Sequence, residues 1–453
     1  MIYLQSPSNH FNQNYFKMKK LIGTFFLIFI FFLFIAGLMI SCKKNNTCYK
    51  PIEKTLSLGV ILPMDNENGP LREKALRMAV DEINMAGGVG NGYTIQLIVK
   101  SDGGANREEA AVAAANEIIA GARDLVGFIT SFSSSSRGVV SQVAIPGRYP
   151  VISGSATAEF LSGISFWFQR LAPPDGFEAS ILSMQAKKYN ITLVAIAVEE
   201  GDSYSEELAA RFRQEFGPGA GMEIKFKKDD PDLDIKVNLL LSGSPGALFI
   251  SMLNPGVYNP LIQKLSELNG QKNLLNMHFI LCDALNSGNI FQSSVGFMIG
   301  DLNGFPKNFG AMPSPDTASS IFQFFALNLK KKYNQNVGSY NAQFYDAGYL
   351  YALAMQKAIV SAGLADMNFF RETVNSFIRS VSHGAPGDPP VMPNMGWKAM
   401  KSACDFGGIN YDGASGNCDM DPKGNVITPY SIFKIVDNGG TFGFKVIEII
   451  RIP

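Results

Sequence analysis

Histidine is scarce in this sequence: His10, His278 and His383 are the whole supply in 453 residues. So few leave little material for histidine-rich metal sites or triad chemistry. Five cysteines are too few to staple a chain of this length as a disulfide scaffold. Charge is sparse as well, at 17%, and it balances, with 39 Lys+Arg against 39 Asp+Glu. The basic excess of a nucleic-acid binder is therefore missing. No Gly-x-Ser-x-Gly elbow, no Gly-Lys dipeptide of a phosphate loop and no His-Glu-x-x-His occurs, so no catalytic set or metal site is expected. What is abundant is apolar: a hydrophobic content of 46% excludes a disordered chain, and the length allows two or three domains.

Part of that apolar content sits at the start. Residues 21–40 hold six Phe and no charge, and Lys19 and Lys20 precede them. A positive stretch before a hydrophobic one is the layout of an export signal, and its length also suits a membrane span. Leu38-Met39-Ile40-Ser41-Cys42 resembles a bacterial lipobox, with Met39 where Leu is usual. The resemblance implies cleavage before Cys42, lipidation of its thiol, and a protein anchored outside the cytoplasm, on the periplasmic face or cell surface. Residues 1–41 then form the export signal and an upstream extension, and 42–54 the lipidated cysteine and a polar tether. Without residues 1–41, 36 basic and 39 acidic residues remain, a net charge of −3.

Along the rest of the chain short apolar runs alternate with helical periods. Residues 57–62 (SLGVIL) read as a buried strand. Leu76, Ala79, Val80 and Ile83 share one helical face before Gly87-Gly88 stops it. Strands are expected at 93–99, 125–129, 150–153, 193–198, 247–251 and 279–282, with helices at 107–120, 176–188, 206–216 and 259–268. Such alternation indicates α/β architecture with parallel sheets covered on both faces. There are too many units for one sheet, so two lobes are expected. Long helices at 317–332 and 343–362 follow, then an irregular segment at 383–425, and strands at 427–436 and 442–450 close the chain.

Two weak motifs reduce to turns. Gly88-Val89-Gly90-Asn91-Gly92 follows a helix and precedes a strand, the wrong context for dinucleotide binding. Asp419-Met420-Asp421 with Gly424 lacks the closing Glu of a calcium loop, since position 430 is Tyr. Two other polar turns carry more information. Ser133-Ser134-Ser135-Ser136 follows one strand, and Gly154-Ser155-Ala156-Thr157 ends the next. Either they cap helices, or together they grip a small anion at the carboxyl ends of a parallel sheet.

Five segments in order resemble one family. They are 56–102 with Ala79-Val80-Asp81-Glu82-Ile83-Asn84, 133–157, 194–207, Tyr340-Asn341-Ala342-Gln343-Phe344-Tyr345-Asp346-Ala347, and Asp421-Pro422-Lys423-Gly424-Asn425. They resemble the type I periplasmic binding proteins, in the branch of Leu/Ile/Val-type amino-acid receptors of ABC importers. The resemblance implies two doubly wound parallel-sheet lobes joined by three crossovers and closing on a ligand. Lobe one would take 55–173 plus 299–392, and lobe two 174–298 plus 393–453. It implies no enzyme and no cofactor. The partners would be a small zwitterion such as an amino acid or an amide-like solute, an importer permease, and the membrane through the lipid anchor.

Site roles follow from the same resemblance. Ser134 would bind the ligand's α-carboxylate, and Thr157 both carboxylate and ammonium. Ser155 would act through its backbone. Tyr204 would cover the ligand from the facing lobe, or is a surface tyrosine. Asp283 would pair the ammonium, or caps a turn. Asn68 stands where the family often has an aromatic residue and Leu253 where it often has tyrosine, so leucine-like ligands do not follow. A lipoprotein of the same fold serving as a sensor or interaction partner, with amino-acid binding lost or altered, is the alternative. Of the remaining thiols, Cys404 and Cys418 lie in one irregular segment and are expected to form a disulfide, while Cys282 is expected to be buried and free.

Overall fold

The computed structural model of the protein describes residues 54–103, 106–270 and 274–451. The expected export signal, the expected lipidation site Cys42, Cys48 and the expected tether up to residue 53 lie outside them.

Strands β1 (Thr55–Leu62), β2 (Thr94–Ser101), β3 (Leu125–Thr130), β4 (Val151–Ser153) and β5 (Phe168–Arg170) form one sheet in the order β2-β1-β3-β4-β5. All its pairs are parallel. Strands β1 and β3 are covered on both faces, which is why SLGVIL and LVGFIT are apolar runs with no alternation. Helices α1 (Asn68–Met85), α2 (Arg107–Gly121) and α3 (Ser133–Val139) connect them. Between α1 and β2 the glycines at 88, 90 and 92 all have positive φ, the turn expected there.

The second sheet takes β6 (Val194–Glu199), β7 (Ala220–Phe226), β8 (Ala247–Ser251), β9 (His278–Leu281), β10 (Asn308–Pro313), β11 (Tyr430–Asp437) and β12 (Phe442–Ile450). Their order is β12-β11-β10-β9-β8-β6-β7. From β10 to β7 the pairs are parallel; β11 and β12 add antiparallel. The sheet is thus mixed at one edge. Helix α4 (Asp175–Lys188) leads into β6, and α5 (Ser203–Phe216), α6 (Leu233–Leu240) and α7 (Pro255–Leu268) link the sheet's parallel strands.

Helices α8 (Ser320–Tyr333), α9 (Asn341–Ala362), α10 (Met367–Ser382) and α11 (Trp397–Phe406) come last and pack on the first sheet. Nearly every residue of α9 through Ala358 is buried, because it lies between that sheet and α1, α10 and α11. Drawn on the cores, the lobe limits differ from 298 and 392. Strand β10 belongs to the second sheet, so the chain returns to the first lobe only after Pro313. Trp397, Met400, Cys404, Tyr411 and Val426 belong to the first core, so the last crossing follows 426. The segment expected to be irregular therefore holds α11 and a small sheet of Pro390–Val391, Asn410–Gly413 and Gly416–Asn417.

The expected disulfide is absent. Cys404 and Cys418 are both free and buried. The Cys404 thiol faces the Leu353 carbonyl at 3.6 Å, whereas Cys418 lies 3.7 Å from Ser415 Oγ and 3.9 Å from Asp346 Oδ2. The two thiols meet α9 at Leu353 and Asp346, two turns or about 10 Å apart along its axis, and burial raises both thiol pKa values, that of Cys404 to about 12. Cys282 is buried and free as expected, 3.5 Å from the Met252 carbonyl.

The crossings are stapled. Arg170, the last residue of β5, is fully buried, and its Nε donates to Asn425 Oδ1 at 2.8 Å while Nη1 donates to the Ala158 carbonyl at 2.8 Å. Its backbone N–H reaches the Gly424 carbonyl at 2.9 Å, and Ser314 N–H reaches the Pro429 carbonyl at 2.8 Å. The faint calcium-loop resemblance is in fact this turn: Asp421 Oδ1 accepts the N–H groups of Lys423 and Asn425.

Candidate ligand cleft

Both sheets aim the carboxyl ends of their parallel strands at one cleft of about 580 Å³, counted to its open mouth. From the first lobe come Asn68 and Arg72 after β1, Ser133 after β3, and Ser155 and Thr157 after β4. The second lobe contributes Tyr204 after β6, Leu253 after β8 and Asp283 after β9. Ser155, Thr157, Tyr204 and Asp283 are thus brought together, and all four are buried.

Ser134 falls elsewhere. Successive helical residues point about 100° apart, so a serine run at a helix start cannot aim every hydroxyl one way. Ser133 faces the cleft, and its Oγ accepts the N–H groups of Thr157 (3.1 Å) and Ala158 (3.0 Å). With two lone pairs engaged, its own O–H is left to donate. Ser134 Oγ is buried with no hydrogen-bond partner, and the residue lies at an adjoining hollow with Arg107, Glu199 and Asp202. Ser135 donates to Asp102 Oδ2 at 2.6 Å, and Ser136 shares a hydrogen bond with Thr130 at 2.8 Å. In the next turn Gly154 is required by space: a Cβ there would stand 2.6 Å from the Phe344 ring.

The opposing wall is built round Asp283. The hydroxyls of Tyr204 and Tyr340 donate to its two carboxylate oxygens. Its N–H donates to Glu178 Oε1 at 2.9 Å, and Asp175, at the start of α4, donates its N–H to the Thr157 carbonyl at 2.8 Å. Burial raises the pKa of Asp283, which the two tyrosine hydroxyls partly offset; burial also holds Asp175 and Glu178 well above the usual carboxylate range. Tyr340 precedes α9 with φ 64° and ψ 5°, the left-handed region. Across the mouth, Glu67 Oε1 accepts Ser287 Oγ (3.1 Å) and the Gly288 N–H, and Ser339 Oγ donates to the Asn286 carbonyl at 3.1 Å. The lobes are therefore in contact over the cleft.

Sequence reasoning missed Arg72, Ser133 and Tyr340. Arg72 had a legible signal: it lies on the stripe of α1 that carries Ala75, Leu76, Ala79, Val80 and Ile83. Ser133 differed from the expected serine by one position. Tyr340 opens the family-like segment 340–347, which gave it no place in the cleft. Among the described residues no group of three or more His, Cys, Asp or Glu could hold a metal ion, and no helix is long and apolar enough to cross a membrane.

Residues 71–438 match the family described as the receptor family ligand binding region. No curated protein sequence matches the chain. Among solved structures, a leucine binding protein of Thermotoga maritima is 18% identical with a TM-score of 0.66, over 87% of this chain and 99% of its own. A branched-chain amino acid transporter substrate binding protein of Streptococcus pneumoniae, in complex with isoleucine, gives 18% and 0.65 over 87% and 99%. A solute binding protein of an ABC transporter from Rhodopseudomonas palustris, in complex with 3,4-dihydroxybenzoic acid, gives 16% and 0.64 over 88% and 98%.

Proposed function

The chain belongs to the receptor family of ligand-binding regions and has the type I periplasmic binding protein fold, and from that premise we propose that it captures a small zwitterion, such as an amino acid, for an ABC importer. The observation that carries this reading is the opposition of charge across the cleft. Hydroxyls of Ser133, Ser155 and Thr157, backed by the Arg72 cation, line one wall; Asp283 with its two tyrosines lines the other. A ligand with a carboxylate and an ammonium satisfies both, because a desolvated ion needs a charged or hydrogen-bonded partner. Thr157 and Ser155 would face the carboxylate, and Asp283 and Tyr204 the ammonium. Ser134, with its hydroxyl buried beside the adjoining hollow, would act through its turn rather than its side chain. The ligand bridges the two walls and favours the closed arrangement without any covalent step.

Capture would take place outside the cytoplasm, with lipid-modified Cys42 holding the protein at the membrane beside its permease. The relatives that bind leucine, isoleucine or an aromatic acid support solute capture as the role and leave the side-chain end of the ligand open. That end here meets Asn68 and Leu253, not two aromatic rings.

A thermal-shift panel of the amino acids, small amides and aromatic acids on protein lacking residues 1–42 tests the reading. A ligand at 100 times its Kd stabilises by about 2.7 kcal/mol, a clear rise in Tm. A panel with no shift sinks the reading and favours the sensor or interaction role.

A further inference from the structure

Arg72 is a cation inside the protein. It is 2% exposed, and its guanidinium carbon lies 5.3 Å from the ring centre of Phe132, 5.5 Å from Tyr340 and 5.6 Å from Phe344. Those faces attract a cation but accept no hydrogen bond in the plane of the fork. Of the five N–H donors of a guanidinium, one from Nη1 reaches Ser131 Oγ at 2.6 Å, while Nε is buried with no partner. Among the described residues Arg72 forms no ion pair. The acids that act on it through space are engaged elsewhere. Asp283 accepts from two tyrosines, and Asp102 pairs with Arg107 at 3.2 Å. Burial lowers the Arg72 pKa to about 10, so the group still carries its charge at neutral pH.

A buried cation with no counter-ion is costly to a fold, and the usual remedies are a paired acid or replacement by an apolar residue. Neither is present here, and the group lines the cleft. Its one hydrogen bond also points there. Because Nη1 donates to Ser131 Oγ, the Ser131 hydroxyl is free to donate to Ser155 Oγ, 3.2 Å away. The Ser155 hydroxyl is then free to donate into the cleft. A guanidinium at one end of this chain strengthens the donor at the other, which suits an anion.

We propose that Arg72 is the counter-ion of the ligand's carboxylate, directly and through Ser131 and Ser155, so that the acid group is the obligatory feature of the solute. The proposal rests on the solute-capture reading and deepens it. The carboxylate outranks the side chain, and a solute with an acid but no amine is a weaker ligand rather than a non-ligand.

Titration calorimetry on the lipid-free protein tests this with matched acid and amide pairs: L-leucine and L-leucinamide, L-glutamine and L-glutaminamide, benzoate and benzamide. In the native protein the acid of any pair that binds should be preferred about 100-fold or more, the scale of an unpaired buried charge. Arg72→Gln should weaken the acid about 100-fold and bring the acid-to-amide ratio below about ten, and Arg72→Lys should keep part of it. The circular dichroism and melting of each variant check its fold, and the acid-to-amide ratio of the native protein needs no variant. If the native protein binds acid and amide alike, or if folded Arg72→Gln keeps the 100-fold preference, the proposal is wrong while solute capture stands. If the protein binds only amides or amines of the thermal-shift panel and no acid, the proposal is wrong while solute capture stands; if nothing in that panel binds, both fall.

Discussion

The two walls of the cleft are built on the same plan, yet they handle charge in opposite ways. On the first lobe neutral hydroxyls at strand ends share the cleft lining with Arg72, whose charge is partly relayed through Ser131 to Ser155. On the second lobe, the charged group is itself in front: Asp283 lines the cleft, with Glu178 behind it on its backbone N–H. A relayed charge tolerates loss of one hydroxyl, since its neighbours share the task. A frontal charge held by two tyrosines has no substitute. The second wall should therefore be the more fragile to single changes.

The sharpest break is Asp283→Asn. It removes the proposed partner of the ammonium and leaves two buried tyrosine hydroxyls facing an amide, so ligand affinity should fall by about 2–5 kcal/mol, at least thirtyfold in calorimetry. Thr157→Val on the other wall removes one neutral hydrogen bond, and the same measurement should show only about a tenfold loss. Equal losses at the two positions would refute the contrast between the walls. A subtler probe is Glu199 in the second lobe, whose Oε2 accepts the N–H groups of Leu253 and Asn254 at 2.8 Å each. Burial, with Asp202 nearby, raises its pKa from 4.5 to about 7. The folded chain thus holds this proton to higher pH than the unfolded one, so stability falls as pH rises from about 4.5 to 7. Glu199→Gln should melt like the native protein at pH 5 and a few degrees above it at pH 8. The smallest effect expected is none: dithiothreitol should leave the melting temperature unchanged, since Cys404 and Cys418 form no bridge.

The α/β order was legible because strands covered on both faces read as unbroken apolar runs, as at β1 and β3. Helix α11 was not, because Gly and Pro around it mask its period. Even so, Trp397, Met400 and Cys404 do recur at helical spacing and are the residues it buries. The disulfide inference failed because nearness in sequence does not bring two thiols together: Cys404 meets Leu353 and Cys418 meets Asp346, about two helical turns away. Within the cleft, the strand-end turns and Asp283 could be found from strand boundaries alone. The exact serine could not, since one residue along a helix turns a side chain to another face. Tyr340 stood out only as the first residue of a family-like segment, and its place in the cleft was out of reach: it meets Asp283 from 57 positions further along the chain, on the opposite lobe.

That tyrosine has a kinetic consequence. Its left-handed backbone costs an L residue about 1–2 kcal/mol, and it is fixed at the start of a helix buried almost throughout the first lobe. The cost is thus met when the lobe folds and not when the cleft shuts. A tyrosine in an ordinary loop would have to find both its backbone conformation and its rotamer at each encounter. Were the lobes to open, the hydroxyl would stay aimed at the place to which Asp283 returns, and closure would then require rigid-body approach and little local search. The dwell time of the closed state, more than the rate of reaching it, should then report how well a given solute fits.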